Sequence, residues 1–272
     1  MKQLLENAIY AAIEAGKAIL TVYSTNFDIE LKEDNSPLTI ADTMAHEIIS
    51  RHLHTTNIPV VSEEGRSIPY HKRETWPKFW LIDPLDGTKE FINRNDEFTV
   101  NIALIENGRP KMGVVFAPVL NLLYFSDLTG SWKIKSPIVN LEKLRDLDVL
   151  KAKSTPLPAP KTSSGFTIVA SRSHLNEQTT DFINKVKREH NEIRIVSRGS
   201  SLKLCMIAEG SADVYPRFGI TSEWDIAAGH ALIIAAGGKV VSAEDEKTEL
   251  TYNTINMENP PFIAFAPASD TQ

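Results

Sequence analysis

The sequence predicts a protein in which helices are layered on sheets, with an α+β first half and an α/β second half. Alternating apolar residues and tight turns fill the middle of the chain, and strands alternate with helices after about residue 165. The chain has 272 residues, of which 42% are hydrophobic, which is enough for one large core or for two closely packed halves.

The first half begins with two predicted helices and continues as a series of strands. Apolar side chains recur at helical spacing over residues 4–23, and a second helical pattern runs from about 41 to 54. Asn107-Gly108 is a strong signal for a hairpin turn, and Thr129-Gly130 supplies another turn. Strands are predicted at 79–82, 98–104, 112–116, 122–125 and 132–134. Most of this region is therefore expected to form antiparallel sheet.

The second half is expected to follow a proline-rich connection between about residues 146 and 165, which places the two halves at 1–150 and 151–272. Strands are predicted at 166–170, 193–196, near 214, at 239–242 and at 262–265, and helices at about 176–189, 202–208 and 226–236. This alternation is typical of an α/β arrangement.

The charge and composition of the chain exclude several classes of protein. A formal net charge of -6 argues against an extended nucleic-acid surface, which requires a basic stripe. The single cysteine, Cys205, allows no intramolecular disulfide and favours a reduced, cytoplasmic setting. The longest weakly polar stretch, residues 226–238, is too short to span a bilayer, so no transmembrane segment is predicted. Peripheral contact with a membrane stays open.

The segment Asp83-Pro84-Leu85-Asp86-Gly87-Thr88 carries the strongest chemical signal. Its two carboxylates lie three residues apart after a buried strand, where Pro84 forces a turn, and can converge on one point together with the Leu85 carbonyl. Oxygen ligands of this kind suit Mg²⁺ rather than zinc. The amides of Gly87 and Thr88 can face a phosphate where Thr88 opens a helix. The alternative interpretation is an Asp-Gly turn that only ends a strand.

Two further acidic positions matter if they lie beside this segment. Glu63, in Ser62-Glu63-Glu64-Gly65, follows an apolar stretch and by itself suggests a solvated loop. Asp225 is expected to open an apolar helix, where it can act as an N-cap, as a metal ligand or as both. Two-metal phosphate hydrolysis needs several carboxylates around the cations, and Glu63, Asp83, Asp86 and Asp225 satisfy that number.

These three motifs, in this order and spacing, resemble the inositol monophosphatase superfamily of lithium-sensitive phosphatases over nearly the full chain. Lys89-Glu90-Phe91 stands where inositol-type members usually carry Thr-Asn-Phe, which resembles the branch of bacterial CysQ-type 3'(2'),5'-bisphosphate nucleotidases. The same branch is indicated by segments 35–42, 98–104, 171–174, 199–203 and 215–219.

The resemblance implies a fold, a reaction and a cofactor. The fold is the layered αβαβα sandwich of the inositol monophosphatase and fructose-1,6-bisphosphatase type, an α+β and α/β arrangement with an antiparallel sheet in the first half and a mixed sheet in the second. The implied reaction removes the 3'-phosphate of adenosine 3',5'-bisphosphate to give AMP, and extends to 3'-phosphoadenylyl sulfate, giving adenylyl sulfate. It requires two or three Mg²⁺ ions and serves sulfate assimilation.

Site residues are also implied by position in the family motifs. Metal ligands are Glu63, Asp83, the Leu85 carbonyl, Asp86 and Asp225. Catalytic residues are Thr88, Asp42 and Glu63, with Asp42 polarising Thr88 so that Thr88 orients the attacking water. Substrate contacts are Gly87, Thr88, Lys89, His174, Ser200, Lys203, Arg217 and Asp225. Read without the family, Lys203 and Arg217 suggest surface charges, His174 a structural or exposed histidine, and Asp42 a helix cap.

Other functions stay open at this point. The same chemistry on an inositol monophosphate or fructose bisphosphate is the first alternative, and a non-catalytic nucleotide-binding or metal-binding regulator is the second. The expected partner is a small nucleotide bisphosphate rather than a nucleic-acid polymer. A monomer or homodimer is expected in the cytoplasm, with contact on the cytoplasmic face of the inner membrane left open.

Overall fold

The computed structural model describes residues 1–31, 37–136, 146–161, 165–170 and 176–268. Within these residues the helices are α1 (Lys2–Tyr23), α2 (Ile40–His54), α3 (Tyr70–Arg73), α4 (Thr88–Ile92), α5 (Leu147–Lys153), α6 (Glu177–Glu189), α7 (Leu202–Glu209) and α8 (Glu223–Ala235). The strands of the first half are β1 (Ile29–Leu31), β2 (Pro37–Thr39), β3 (Val60–Ser62), β4 (Lys78–Asp86), β5 (Thr99–Glu106), β6 (Arg109–Ala117), β7 (Leu122–Asp127) and β8 (Gly130–Lys135). Those that follow are β9 (Thr155–Leu157), β10 (Phe166–Ala170), β11 (Ile193–Ser197), β12 (Val214–Arg217), β13 (Thr221–Ser222), β14 (Lys239–Ser242), β15 (Glu258–Asn259) and β16 (Phe262–Phe265).

The first large sheet has seven strands in the order β3-β4-β5-β6-β7-β8-β9. All of its pairs are antiparallel except β3 with β4, which run parallel. Both of its faces are buried, so β4 is continuously apolar over residues 79–82: Trp80 and Ile82 face one core, and Phe79 and Leu81 face the other.

The second large sheet has five strands in the order β11-β10-β12-β16-β14. It is mixed, because β10 pairs in parallel with β11 and β12 while β16 is antiparallel to β12 and β14. Short parallel strands of this kind require crossover helices, which α6 and α7 provide. Two-stranded pairs, β1 with β2 and β13 with β15, complete the described sheets and were not predicted from the sequence.

Three buried clusters show that the layers follow the order αβαβα. Helices α1 and α2 pack on one face of the first sheet, through residues such as Ile13, Ile49 and Phe116. Helices α7 and α8 lie between the two sheets. Helix α6 covers the outer face of the second sheet through Ile183 and Val186. The layered sandwich expected from the sequence is therefore confirmed.

Close packing of α8 on the first sheet depends on a glycine in β6. A Cβ added at Gly113 would overlap the carbonyl oxygen of Ala228, which lies in α8. Helix α8 is apolar around most of its circumference because it is buried between the two sheets. This contact holds the first turn of α8, and with it Asp225, against the sheet that carries Asp83.

Most predicted elements agree with the structure within a few residues, but the predicted end of β4 and start of α8 were wrong. Strand β4 does not end at Asp83 but resumes pairing at Asp86, with an irregularity in between. Strand β9 joins the first sheet from beyond residue 150, whereas the division of the chain into 1–150 and 151–272 stays a prediction. Helix α8 begins at Glu223 with Ser222 as its N-cap, so Asp225 does not open the helix. No helix in the described ranges is long and apolar enough to cross a membrane.

Candidate metal centre and substrate pocket

The end of β4 places two carboxylates at the edge of the first sheet. Asp83 is buried and accepts a hydrogen bond from the Leu85 backbone N–H at 3.1 Å, which stabilises the irregular segment around Pro84. Gly87 then has a φ of +92°, a left-handed conformation that favours glycine, and it starts α4 at Thr88. The helix predicted after this motif is therefore confirmed.

Two more carboxylates reach the same place from different elements. Glu63 follows β3, and its backbone N–H donates to the Ile82 carbonyl at 3.2 Å, so the parallel pairing with β4 sets its position. Asp225 lies in the first turn of α8. One carboxylate oxygen from each of Glu63, Asp83 and Asp225 lies within 4.8 Å of the other two. The structure thus brings together acids that are far apart in the sequence.

The electrostatics of this cluster favour a bound cation. Burial raises the pKa of Asp83 well above its usual range, and the charges of Glu63, Asp86 and Asp225 raise it further. Burial likewise raises the pKa of Asp225 to about 8, with added contributions from Asp86 and Glu63. Several carboxylates converge here with oxygen ligands only, which fits a hard divalent cation. These residues therefore suit the metal that the sequence predicts.

Asp86 is held by a buried network that sequence reasoning missed. Its Oδ2 accepts a hydrogen bond from Asn101 Nδ2 at 3.1 Å, and that amide also donates to Ser201 Oγ at 2.9 Å. The Ser201 hydroxyl in turn donates to the backbone carbonyl of Asp225 at 2.7 Å. The network connects β5 of the first sheet to the first turns of α7 and α8, beside the carboxylates. The one signal in the sequence was an amide, Asn101, between the apolar residues Val100 and Ile102 of β5.

Thr88 and Asp42 form the pair that the family motifs imply. The Thr88 hydroxyl lies 3.2 Å from Asp42 Oδ1 and 3.4 Å from the Leu85 carbonyl oxygen. Asp42 Oδ2 accepts hydrogen bonds from the backbone N–H and the hydroxyl of Thr39, at 2.8 and 2.7 Å. Thr39 is the N-cap of α2, so Asp42 completes a capping box and also faces Thr88. Both interpretations of Asp42 are therefore compatible.

A cavity of about 250 Å³ extends from the carboxylates to a cationic wall in the second half of the chain. The cationic side chains of this wall are Arg198, Lys203 and Arg217, and Lys89 lines the cavity from the first half of the chain. Arg217 Nη2 donates to the Ile220 carbonyl, while its buried Nε has no hydrogen-bond partner among the described residues. The wall gives an anionic ligand a complementary charge beyond the metal cluster.

Lys203 and Ser200 are more constrained than the sequence suggested. Lys203 is partly buried, and the loss of solvent around its ammonium group is the main cause that lowers its pKa. Its Nζ donates hydrogen bonds to the backbone carbonyls of Ser200 at 2.7 Å and Arg198 at 3.3 Å. The Ser200 hydroxyl lies 2.8 Å from the Asp86 carbonyl oxygen and 2.6 Å from that of Glu97. The interpretation of Lys203 as a surface charge was therefore wrong, and both residues hold the pocket wall in place.

The remaining predicted contacts divide into two groups. Gly87, Thr88, Lys89, Ser200, Lys203, Arg217 and Asp225 all line the cavity. His174 lies outside the described residues. Arg198 and Tyr215 also line the cavity, although the sequence did not single out their side chains as contacts. Tyr215 precedes Arg217 by two residues on β12, so strand alternation places both side chains on the same face.

Known proteins resemble this chain in sequence and in fold. Residues 1–265 match the model of the inositol monophosphatase family. The 3'(2'),5'-bisphosphate nucleotidase CysQ of Salmonella typhimurium is 44% identical over 241 residues, which cover 87% of this chain and 89% of the relative. The protein of the same name from Escherichia coli strain K12 is 42% identical over the same length.

Solved structures agree with this similarity. The crystal structure of CysQ from Bacteroides thetaiotaomicron, a bacterial member of the inositol monophosphatase family, has a TM-score of 0.91 and 45% sequence identity, with 99% of each chain covered. The suppressor protein SuhB from Bartonella henselae shares the fold at a TM-score of 0.69 and 21% identity, with 97% of this chain and 93% of that chain covered.

Proposed function

The chain belongs to the inositol monophosphatase family, and from that premise we propose that it is a 3'(2'),5'-bisphosphate nucleotidase. The reaction removes the 3'-phosphate of adenosine 3',5'-bisphosphate and releases AMP and phosphate. The same site accepts 3'-phosphoadenylyl sulfate, which links the activity to sulfate assimilation. One observation supports this assignment most directly: a partly buried carboxylate cluster and a cationic wall line a single cavity.

Mg²⁺ is the proposed cofactor, held by the carboxylates of Glu63, Asp83, Asp86 and Asp225 and by the Leu85 carbonyl. When bound, it lowers the pKa of a water molecule and neutralises charge on the phosphate. Two or three ions are expected from the family.

Thr88 and Asp42 are the proposed groups that handle the proton of the attacking water. A threonine hydroxyl is a weak base on its own, and needs a proton acceptor behind it. The Thr88 hydroxyl therefore accepts a proton from the water as it passes its own proton to Asp42 Oδ1, which lies 3.2 Å away. The bonds from Thr39 hold Asp42 in the orientation that receives this proton. Glu63 assists by orienting the same water.

The cationic wall is the proposed binding site for the second phosphate of the substrate. Arg217 presents a planar guanidinium to the cavity, and Lys203 adds a fixed positive charge behind it. Gly87, Lys89 and Ser200 contribute further contacts on the side of the scissile phosphate, and His174 contacts the nucleotide. A substrate with two separated phosphates uses both ends of the cavity, whereas an inositol monophosphate uses only one.

A substrate panel tests the proposal. Phosphate release is measured in Mg²⁺ with adenosine 3',5'-bisphosphate, 3'-phosphoadenylyl sulfate, an inositol monophosphate and fructose 1,6-bisphosphate. The expected result is fastest turnover of the two nucleotides. Much faster turnover of a sugar phosphate would contradict the nucleotidase assignment, and no turnover of any compound would favour a binding protein.

Two variants separate the metal assignment from general loss of structure. Asp83→Asn is expected to abolish most of the activity, because it removes a buried ligand charge. Asp213→Asn is the matched control, since Asp213 accepts hydrogen bonds from Lys161 and the Thr167 backbone on the second sheet. Equal activity of Asp83→Asn and the unmodified protein would remove the metal assignment.

Lithium is expected to inhibit at concentrations on the order of tens of millimolar, because it replaces a weakly held Mg²⁺.

A further inference from the structure

A three-residue loop, residues 253–255, lies between a buried cation and a buried carboxylate outside the pocket. Arg73, which is only 3% exposed, is the cation. Its guanidinium donates to the Asn253 side-chain oxygen at 2.7 Å and to the carbonyls of Thr254 and Ile255 at 2.8 Å each. Asn253 Nδ2 returns a hydrogen bond to the Arg73 carbonyl at 2.7 Å. The carbonyl side of the loop is therefore fixed to Arg73.

The other side of the loop is fixed to Glu223, the first residue of α8, whose side chain is fully buried. Glu223 Oε2 accepts from the Asn253 backbone N–H at 2.7 Å. Its Oε1 accepts from the Thr254 backbone N–H and hydroxyl, at 2.7 and 2.6 Å. The polar groups of the loop thus connect two buried charges of opposite sign, and these hydrogen bonds offset the cost of burying them.

This bridge joins two parts of the chain that carry candidate metal ligands. Arg73 ends α3, ten residues after Glu63, and Glu223 precedes Asp225 by two residues in the first turn of α8. Among the candidate ligands, Asp225 is the one supplied by the second half of the chain. Its distance to the other ligands therefore depends on how α8 packs against the first sheet. The pairing of β13 with β15 holds the chain just before this turn.

We propose that the bridge of Arg73, loop 253–255 and Glu223 sets the position of Asp225 relative to Glu63 and Asp83, and so sets the affinity of the site for its metal. Arg73 and Glu223 are positioning residues, because they act through the first turn of α8. Three hydrogen bonds to one carboxylate restrain that turn in both translation and rotation. Substitution of residues that orient a metal ligand through hydrogen bonds commonly lowers metal affinity by about 10- to 100-fold.

The inference is tested by calorimetric titration of Mg²⁺ into metal-free protein, without substrate. Glu223→Gln is expected to weaken binding about tenfold, because it removes the charge and one acceptor that face the loop. Thr254→Val keeps both buried charges and removes the hydroxyl, which donates to Glu223 at 2.6 Å and lies 3.4 Å from the Glu258 carbonyl oxygen. A smaller weakening of roughly two- to threefold is therefore expected. Both variants are expected to keep kcat within about twofold at saturating Mg²⁺, since neither residue touches the substrate pocket.

Glu209→Gln is the matched control. Glu209 also accepts hydrogen bonds from three side chains, Tyr124, Lys133 and Ser211, at a site removed from the carboxylate cluster. This variant is expected to lower the unfolding temperature and to leave the Mg²⁺ Kd unchanged. A structural role alone would make Glu223→Gln behave in the same way.

The inference rests on Asp225 as a ligand, so Asp225→Asn is titrated alongside. Unchanged Mg²⁺ binding by Asp225→Asn would refute the ligand assignment in the proposed function, and the bridge inference with it. A different result would overturn the bridge inference alone. In that case Asp225→Asn weakens Mg²⁺ binding, but Glu223→Gln and Thr254→Val both keep the Kd of the unmodified protein. If Glu223→Gln does not fold, the Thr254→Val titration decides between these outcomes.

Discussion

Binding of Mg²⁺ to the metal-free protein is expected to release protons near neutral pH and to strengthen as the pH rises. Without a cation, burial and the neighbouring carboxylates raise the pKa of Asp225 to about 8 and that of Asp83 well above its usual range. Protons then neutralise these two carboxylates. Because the cation must displace those protons, protons and Mg²⁺ compete for the same oxygens.

The size of the effect follows from the pKa of Asp225. A carboxyl with a pKa of about 8 is roughly nine-tenths protonated at pH 7 and roughly one-tenth protonated at pH 9. Asp225 is therefore expected to release roughly one proton on Mg²⁺ binding at pH 7 and roughly a tenth of one at pH 9. The Mg²⁺ Kd falls by up to about tenfold per pH unit below pH 8 from this residue, and Asp83 adds to the effect in the same direction.

The same pKa shift determines how the stability of the metal-free protein depends on pH. A carboxyl whose pKa is higher in the folded state stabilises that state fully below its unfolded pKa of about 3.9, and this contribution is lost as the pH rises through the folded value. The unfolding temperature of the metal-free protein is therefore expected to fall progressively between about pH 4 and pH 8, the unfolded and folded pKa values of Asp225, and to level off above pH 8. Saturating Mg²⁺ is expected to remove most of this decline.

Calorimetric titration between pH 6.5 and 9, in buffers of different ionisation enthalpy, measures both the Kd and the number of protons released. Asp225→Asn is the control, because it removes the titration near pH 8 and weakens binding. A Kd that does not change with pH, with no proton release at pH 7, would refute the electrostatic description of the cluster.

Three further predictions concern other parts of the site. Thr88→Val is expected to lower kcat by about 10²- to 10³-fold and to leave the Mg²⁺ Kd unchanged. Adding Asp42→Asn to this variant is expected to lower kcat little further, because the two residues act as a unit. Additive losses of kcat in steady-state assays would contradict this. Asn101→Ala is expected to weaken Mg²⁺ binding about tenfold by calorimetry, since Asp86 loses its amide donor and keeps only the longer contact with Thr99 among the described residues. Unaltered binding would count against the network. Gly113→Ala is expected to destabilise the protein by about 1–3 kcal/mol in urea unfolding, because its Cβ would overlap α8, and an unchanged midpoint would disprove that contact.

Periodicity predicted the secondary structure well because burial dictates it directly. Helix α1 and strands β10, β14 and β16 lie where the apolar pattern placed them. The errors came from residues with two roles. Pro84 has no backbone N–H and suggested the end of a strand, but β4 pairs again at Asp86 because the ladder tolerates an irregularity there. Asp225 suggested an N-cap, but Ser222 has that role and Asp225 completes the capping box.

Contacts between distant segments were beyond sequence reasoning. Nothing local to Arg73 or Glu223 indicates that both are buried, because burial of a charge depends on donors and acceptors that other segments supply. The same holds for Lys203, whose ammonium group is held by two backbone carbonyls of its own wall. Such residues resemble surface charges until the fold provides their partners.

The sequence by itself determined the layered fold, the chemical character of the site and the family, since these depend on residue type, order and short-range spacing. Asp83, Asp86 and Thr88 are close neighbours in the chain, so their joint chemistry could be predicted. Only the tertiary structure decided that Glu63 and Asp225 complete one cluster around the buried Asp83, because the pairing of β3 and the packing of α8 bring them together. It also decided which polar residues hold them there, since hydrogen bonds between segments far apart in the chain, such as those from Arg73 to loop 253–255, leave no periodic trace in the sequence.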